Sequence, residues 1–314
     1  MLVITSNRKL VIVVTVLILG VLLTFLVLTR GRQAEPANGR IHIVSSFYPL
    51  SYAAEKVGGN LVLVNTLVPA GVEPHDFEPS PRDFVDIGKA DILVFNGAAL
   101  EPWVKKWQEG STVRPKEVID MAQTLKARGV VLGERDGAVD PHFWLNPIIM
   151  KSEIEAMRDI FSQIDPAHKD IFIENATRAL ISLDDLDQRF RTGLASCSLH
   201  DIVVLHEAFN YLGRQYGITV TSIEGISPDE EPSPKDLAHI VALARDRGVK
   251  SIFFETVASP KFSELVAREI GGTTLVLNPL ESLTPDEVQS GEDYVSVMEM
   301  NLNNLQKAMS CATN

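Results

Sequence analysis

A chain of 314 residues, 45% apolar and 22% charged, is long enough for two ordinary domains and lacks the composition of a disordered or collagen-like protein. Its formal net charge of -12 speaks against a nucleic-acid partner, because binding to phosphates relies on an excess of Lys and Arg. The two cysteines, Cys197 and Cys311, form no CxxC pair and so do not suggest a cysteine zinc site.

The chain opens with an uncharged apolar stretch, Leu10 to Thr29. A helix of that length spans about 30 Å, the thickness of a bilayer's hydrocarbon core. No small-x-small cleavage site follows and no cysteine stands ready for lipidation, so the stretch reads as an uncleaved signal anchor over residues 1–30. Arg8 and Lys9 precede it and Arg30 and Arg32 follow it, so the flanking charges do not set its orientation. Residues 31–40 read as an exposed linker.

From Ile41 short apolar runs alternate with helical stretches. IHIVSSF (41–47), LVLVNTLV (61–68) and DILVFNG (91–97) read as strands, and VVL (130–132) as a short edge strand. Asp165-Pro166 is a helix start signal, and apolar residues at Ile173, Ala176, Leu180, Leu183, Phe190 and Leu194 predict one long helix. The alternation then resumes with DIVVLH (201–206), GITVTSI (217–223), SIFFET (251–256) and TTLVLNP (273–279), and ends in a helix from Gly291 onward. The expected fold class is α/β, with two Rossmann-like lobes of mostly parallel sheet bridged by one long rigid helix. The expected division is a lobe at 41–164, the bridging helix at 165–196 and a second lobe at 197–314. No close internal sequence repeat is present. Cys197 and Cys311 are open to two readings, one disulfide in an oxidising compartment or two separate buried thiols.

Of the seven histidines, three have a notable context. His75 lies in GVEPHDFEPSPRD after a strand, His142 in the turn-rich DPHFWLNP, and His206 ends DIVVLH. Glu281 follows TTLVLNP in the same way. Open parallel sheets bind ligands beyond the carboxyl ends of their strands. Three imidazoles and a carboxylate make a four-ligand set for zinc, and such donors also serve other divalent metals. Each residue also has an ordinary structural reading: local loop hydrogen bonding for His75 and His142, a satisfied core position for His206, a helix-start carboxylate for Glu281. His168, His200 and His239 read as surface residues, and His42 as a packing residue in its strand. His206-Glu207 lacks the second histidine of an HExxH motif, and no G-x-S-x-G elbow or P-loop is present.

GVEPHDFEPSPRD, DPHFWLNP, VVLHEAF and LNPLESLTPDE together resemble the metal-specific solute-binding proteins of ABC importers (bacterial solute-binding protein family 9). The resemblance covers 41–314. It implies two α/β lobes bridged by a long helix, with a metal in the cleft held by His75, His142 and His206. The fourth family ligand is an acid after the last strand. Many members place an aspartate immediately before Pro-Leu, where this chain has Asn278, so the resemblance carries the role to Glu281. A histidine at the third position goes with zinc in this family and a glutamate with manganese, so His206 favours Zn(II), with Mn(II) as the alternative. The histidine-rich loop of many zinc receptors is missing, since KARGVVLGERDGAVD holds no histidine.

The expected function is capture, not catalysis, by a monomer anchored in the cell membrane with its body on the extracytoplasmic side. The expected partners are ABC permease subunits. Asp140 or Glu73 is expected to orient a histidine. The rival readings are a manganese or iron receptor of the same fold, an anchored zinc hydrolase with Glu281 or Glu207 as base, and an adhesin or structural protein braced by the metal.

Overall fold

The computed structural model describes residues 39–312 except 136 and 226–231. The anchor expected at 10–29 lies outside these residues, and among the described residues no helix is long and apolar enough to cross a membrane.

The first lobe holds β1 (Ile41–Ser45), α1 (Tyr48–Gly58), β2 (Val62–Thr66), α2 (Pro81–Lys89), β3 (Ile92–Phe95), α3 (Pro102–Gly110), β4 (Glu117–Asp120) and α4 (Met121–Ala127). Its four strands are all parallel, in the order β2-β1-β3-β4. A two-residue antiparallel hairpin, β5 (Glu134–Arg135) and β6 (Ala138–Val139), leads to the His142 turn. Two helices follow, α5 (Pro147–Ile164) and α6 (Lys169–Leu194). The second lobe holds β7 (Asp201–Val204), α7 (Asn210–Tyr216), β8 (Thr219–Ser222), α8 (Pro234–Asp246), β9 (Ser251–Phe254), α9 (Lys261–Ile270) and β10 (Thr273–Val276), closed by α10 (Pro285–Ser290) and α11 (Tyr294–Ala308). Its sheet is also parallel, in the order β10-β9-β7-β8. Numbered within each lobe, both sheets run second, first, third, fourth. The topology repeats although the sequence does not.

Alternation along the strands explains why both faces of each sheet are covered. Ile41, Ile43, Ile92 and Val94 face a central core, whereas Val44, Leu93 and Phe95 face a smaller outer core with Trp103 and Trp107 of α3. In the second sheet Ile202, Val204 and Phe253 join the same central core, and Val203 and Ile252 pack outward on Ile240 and Val266. The central core is filled by Met157 and Phe161 of α5, Leu183 and Phe190 of α6, and Met298 and Leu305 of α11. Helices therefore lie between the sheets and fix one lobe against the other.

Three expectations are corrected. Residues 130–132 form no strand, and Val131 is 89% exposed; the fourth strand is Glu117–Asp120, whose charged ends hide it in the sequence. The long helix also starts at Lys169, since the Asp165 carboxylate accepts from His168 Nδ1 (2.6 Å) and caps no backbone N–H. Its buried face is Phe172, Ala176, Ala179, Leu183, Leu186, Phe190 and Leu194, with Leu180 partly buried beside it, so Ile173 lies off the buried stripe. Cys197 and Cys311 are joined in a disulfide that ties the chain after α6 to the chain after α11.

Candidate metal centre

Three of the four candidate residues stand beyond the carboxyl end of a strand, and His142 stands in the turn before α5. His75 is on the loop after β2, His142 begins a single 3-10 turn (Phe143–Leu145), His206 lies two residues past β7, and Glu281 lies on the loop after β10. The fold brings all four together, with one ligand atom from each within 4.8 Å of the others. His75 Nε2 is 3.2 Å from His142 Nε2. Glu281 Oε1 is 3.4 Å from His75 Nε2, 3.3 Å from His142 Nε2 and 3.3 Å from His206 Nε2. His142, His206 and Glu281 are fully buried, and only His75 retains some exposure.

Carboxylates behind the imidazoles set their tautomers. His142 Nδ1–H donates to Asp140 Oδ1 at 2.9 Å, and His206 Nδ1–H donates to Glu255 Oε1 at 2.5 Å. Each bond leaves Nε2 turned into the cluster, the usual arrangement behind a metal-ligating histidine. Glu73 acts on backbone instead: its Oε1 accepts from the His75 N–H at 3.1 Å. Of the expected orienting residues, Asp140 thus touches an imidazole and Glu73 does not. Glu255, at the end of SIFFET, was not singled out in the sequence. It obeys the same strand-end rule as the ligand candidates, and that rule is the signal that points to it.

The electrostatics are those of a site built around positive charge. Burial works to raise the Glu281 carboxyl, but His206 and the contacts with the other imidazoles outweigh it and hold the group well below the usual carboxylate range. Burial works to lower His206, yet Glu255 and Glu281 push it well above the ordinary imidazole value. His142 is likewise raised: burial opposes, and Asp140 and Glu281 prevail. Glu73 is pushed up to about 9 by burial and then by Glu281. His206 Nε2 and both Glu281 oxygens are buried without a hydrogen bond. Buried polar atoms left in that state are costly, and a bound cation would satisfy all three.

The zinc-uptake complex component A family, periplasmic (ZnuA), matches residues 43–308. The chain belongs to this family. It is 33% identical over 291 residues to the high-affinity zinc uptake system protein ZnuA of Bacillus subtilis (strain 168), an alignment spanning 90% of this chain and 91% of that one. It is 35% identical over 298 residues to the zinc-binding lipoprotein AdcA of Streptococcus pneumoniae (strain ATCC BAA-255 / R6), covering 90% of this chain but 58% of AdcA. The crystal structure of the Zn(II)-bound ZnuA-like domain of Streptococcus pneumoniae AdcA superposes with a TM-score of 0.75 at 36% identity, over 86% of this chain and 99% of that domain. The family consists of solute-binding receptors of zinc uptake, not of enzymes, and its fold is the one described above.

Proposed function

We propose that this protein is the extracytoplasmic receptor of a zinc importer. It captures one Zn(II) with His75, His142, His206 and Glu281 and delivers it to ABC permease subunits in the membrane. The carrying observation is the spacing of the donor atoms. A tetrahedral zinc site with bonds of about 2.05 Å has ligand-to-ligand edges of about 3.3 Å. Four edges of this cluster measure 3.2, 3.4, 3.3 and 3.3 Å. Three imidazoles and one carboxylate suit zinc better than manganese, which prefers more oxygen donors. Four protein donors also close the coordination sphere, as in a holding site, whereas a catalytic zinc keeps one position for water.

The working division is an anchor at 1–30, a linker at 31–40, lobes at 41–164 and 197–314, and the bridge at 165–196. In this reading the apolar stretch Leu10 to Thr29 holds the receptor, a monomer, at the outer face of the membrane. The Cys197–Cys311 disulfide suits an oxidising compartment.

The test is a zinc titration of metal-free 41–314 beside His206→Ala. One tight zinc per chain is expected, weakened in the variant by more than about 100-fold, the upper end of what loss of an outer partner costs. Binding indifferent to His206, or no stoichiometric zinc, would reject the site and the transport reading with it.

A further inference from the structure

The turn that presents Glu281 is strained. Leu280 is fully buried and has φ 57°, in the left-handed region. For a residue with a Cβ this conformation costs on the order of 1–3 kcal/mol and persists only where the surroundings impose it. Glu281 is the next residue, so a change of backbone at Leu280 redirects its carboxylate.

Two side chains bond the backbone of this turn. Asn278 Oδ1 accepts the Leu280 N–H at 2.7 Å, and Asn278 Nδ2 donates to Glu287 Oε1 at 2.9 Å. Its backbone is clamped as well: the Asn278 N–H donates to Asn301 Oδ1 at 2.8 Å, and its carbonyl accepts from Asn301 Nδ2 at 2.7 Å. Both ends of the Asn278 amide are therefore engaged, one within the turn and one on α10. The second side chain is Trp144, fully buried, whose Nε1–H donates to the Pro279 carbonyl at 2.8 Å. The Trp144 ring lies 5.3 Å from the His142 ring, and its carbonyl accepts from Tyr294 Oη at 2.6 Å. One indole thus touches a first-lobe histidine and the second-lobe turn that carries the carboxylate. A further tie runs toward His75, since Ser282 Oγ donates to the Pro69 carbonyl at 3.1 Å.

We propose that Asn278 and Trp144 are positioning residues for metal capture, which hold Leu280 in its left-handed conformation and so keep Glu281 Oε1 against the three imidazoles. This inference rests on the reading of Glu281 as a zinc ligand. Asn278 acts through the turn and not on the metal, and Trp144 couples the placement of Glu281 in one lobe to that of His142 in the other.

The test is a double-mutant cycle on the full chain in detergent, with zinc affinity read by competition against a chromophoric chelator and the thermal midpoint of each metal-free protein read alongside. Asn278→Ala and Trp144→Phe should each weaken zinc by about 10–100-fold, the range for partners that orient a ligand. Neither should weaken it further once Glu281→Ala is present. Unchanged affinity in the single variants, with or without a lower thermal midpoint, would overturn the proposal, and so would a loss repeated in full in the Glu281→Ala background. If Asn278→Ala does not fold, Trp144→Phe, which retains an aromatic ring and removes the Nε1–H, decides alone. Failure of the underlying reading shows separately: Glu281→Ala would then bind zinc as the wild type does, or the wild type would not bind it at all.

Discussion

Glu153 is on α5, fully buried in the helical layer between the lobes, and neither of its carboxylate oxygens has a hydrogen-bond partner. Replacing it with Met keeps an unbranched side chain of similar length and removes the unsatisfied oxygens. Such a group costs on the order of 1–3 kcal/mol, so Glu153→Met should stabilise the fold by about that much below about pH 4.3, where the carboxyl is neutral folded and unfolded alike, and by more at neutral pH. For a chain of this size the gain corresponds to roughly 2–4 °C in Tm per kcal/mol. The pH dependence is more diagnostic. Burial pushes the Glu153 carboxyl well above its ordinary value, so the native state holds a proton that the unfolded chain releases above about pH 4.3. Stability from this group is fully present below that pH and is lost as pH rises toward the folded value, by up to about 1.4 kcal/mol per pH unit. The variant lacks this slope. Urea unfolding of the metal-free body at pH 5, 6, 7 and 8 should show the advantage of Glu153→Met widening with pH. Parallel stability curves, or a variant less stable throughout, would show that Glu153 is neither unpaired nor neutral and would refute the argument.

Two further outcomes are expected. In the metal-free protein His142 and His206 are raised above the ordinary imidazole value, and zinc binds neutral imidazole. Zinc uptake at pH 7 should therefore release protons, and affinity should begin to fall at a pH above that of free histidine. Calorimetry in buffers of different ionisation enthalpy measures the release, and a heat independent of buffer would contradict it. The Cys197–Cys311 bond spans a sequence separation of 114, so reduction or Cys197→Ala should lower stability by about 2–5 kcal/mol; unfolding midpoints unchanged by reductant would show that the cross-link adds nothing.

Much of the fold could be read locally because buried parallel strands are short apolar runs, as in DIVV and SIFF. β4 could not, since EVID is a half-exposed edge strand with charged ends. VVL at 130–132 has strand composition and no neighbouring strand to bond to, and composition alone makes no sheet. The face of α6 was read one residue out of phase near its start, because Ile173 and Phe172 are equally apolar and only packing against α5 distinguishes them: Phe172 meets Phe161, with ring centroids 5.7 Å apart, while Ile173 is 39% exposed.

Donor chemistry is legible in the residues: His75 and His206 sit past strands, His142 sits in a turn-rich stretch, and the loop after the last strand offers both Asn278 and Glu281. Of those two, the family resemblance already favours Glu281, and the tertiary structure places its carboxylate against the three imidazoles. Asn278 is committed to the turn and Glu281 points into the cluster, a direction that tertiary structure sets through a left-handed residue and an indole bonded to Pro279 across 135 residues. Tertiary structure alone also placed Glu255 behind His206, 49 residues distant. Side-chain type is a local property of the chain. The direction in which a loop side chain points depends on long-range packing, and here three strand-end loops and the turn at His142 meet at one point.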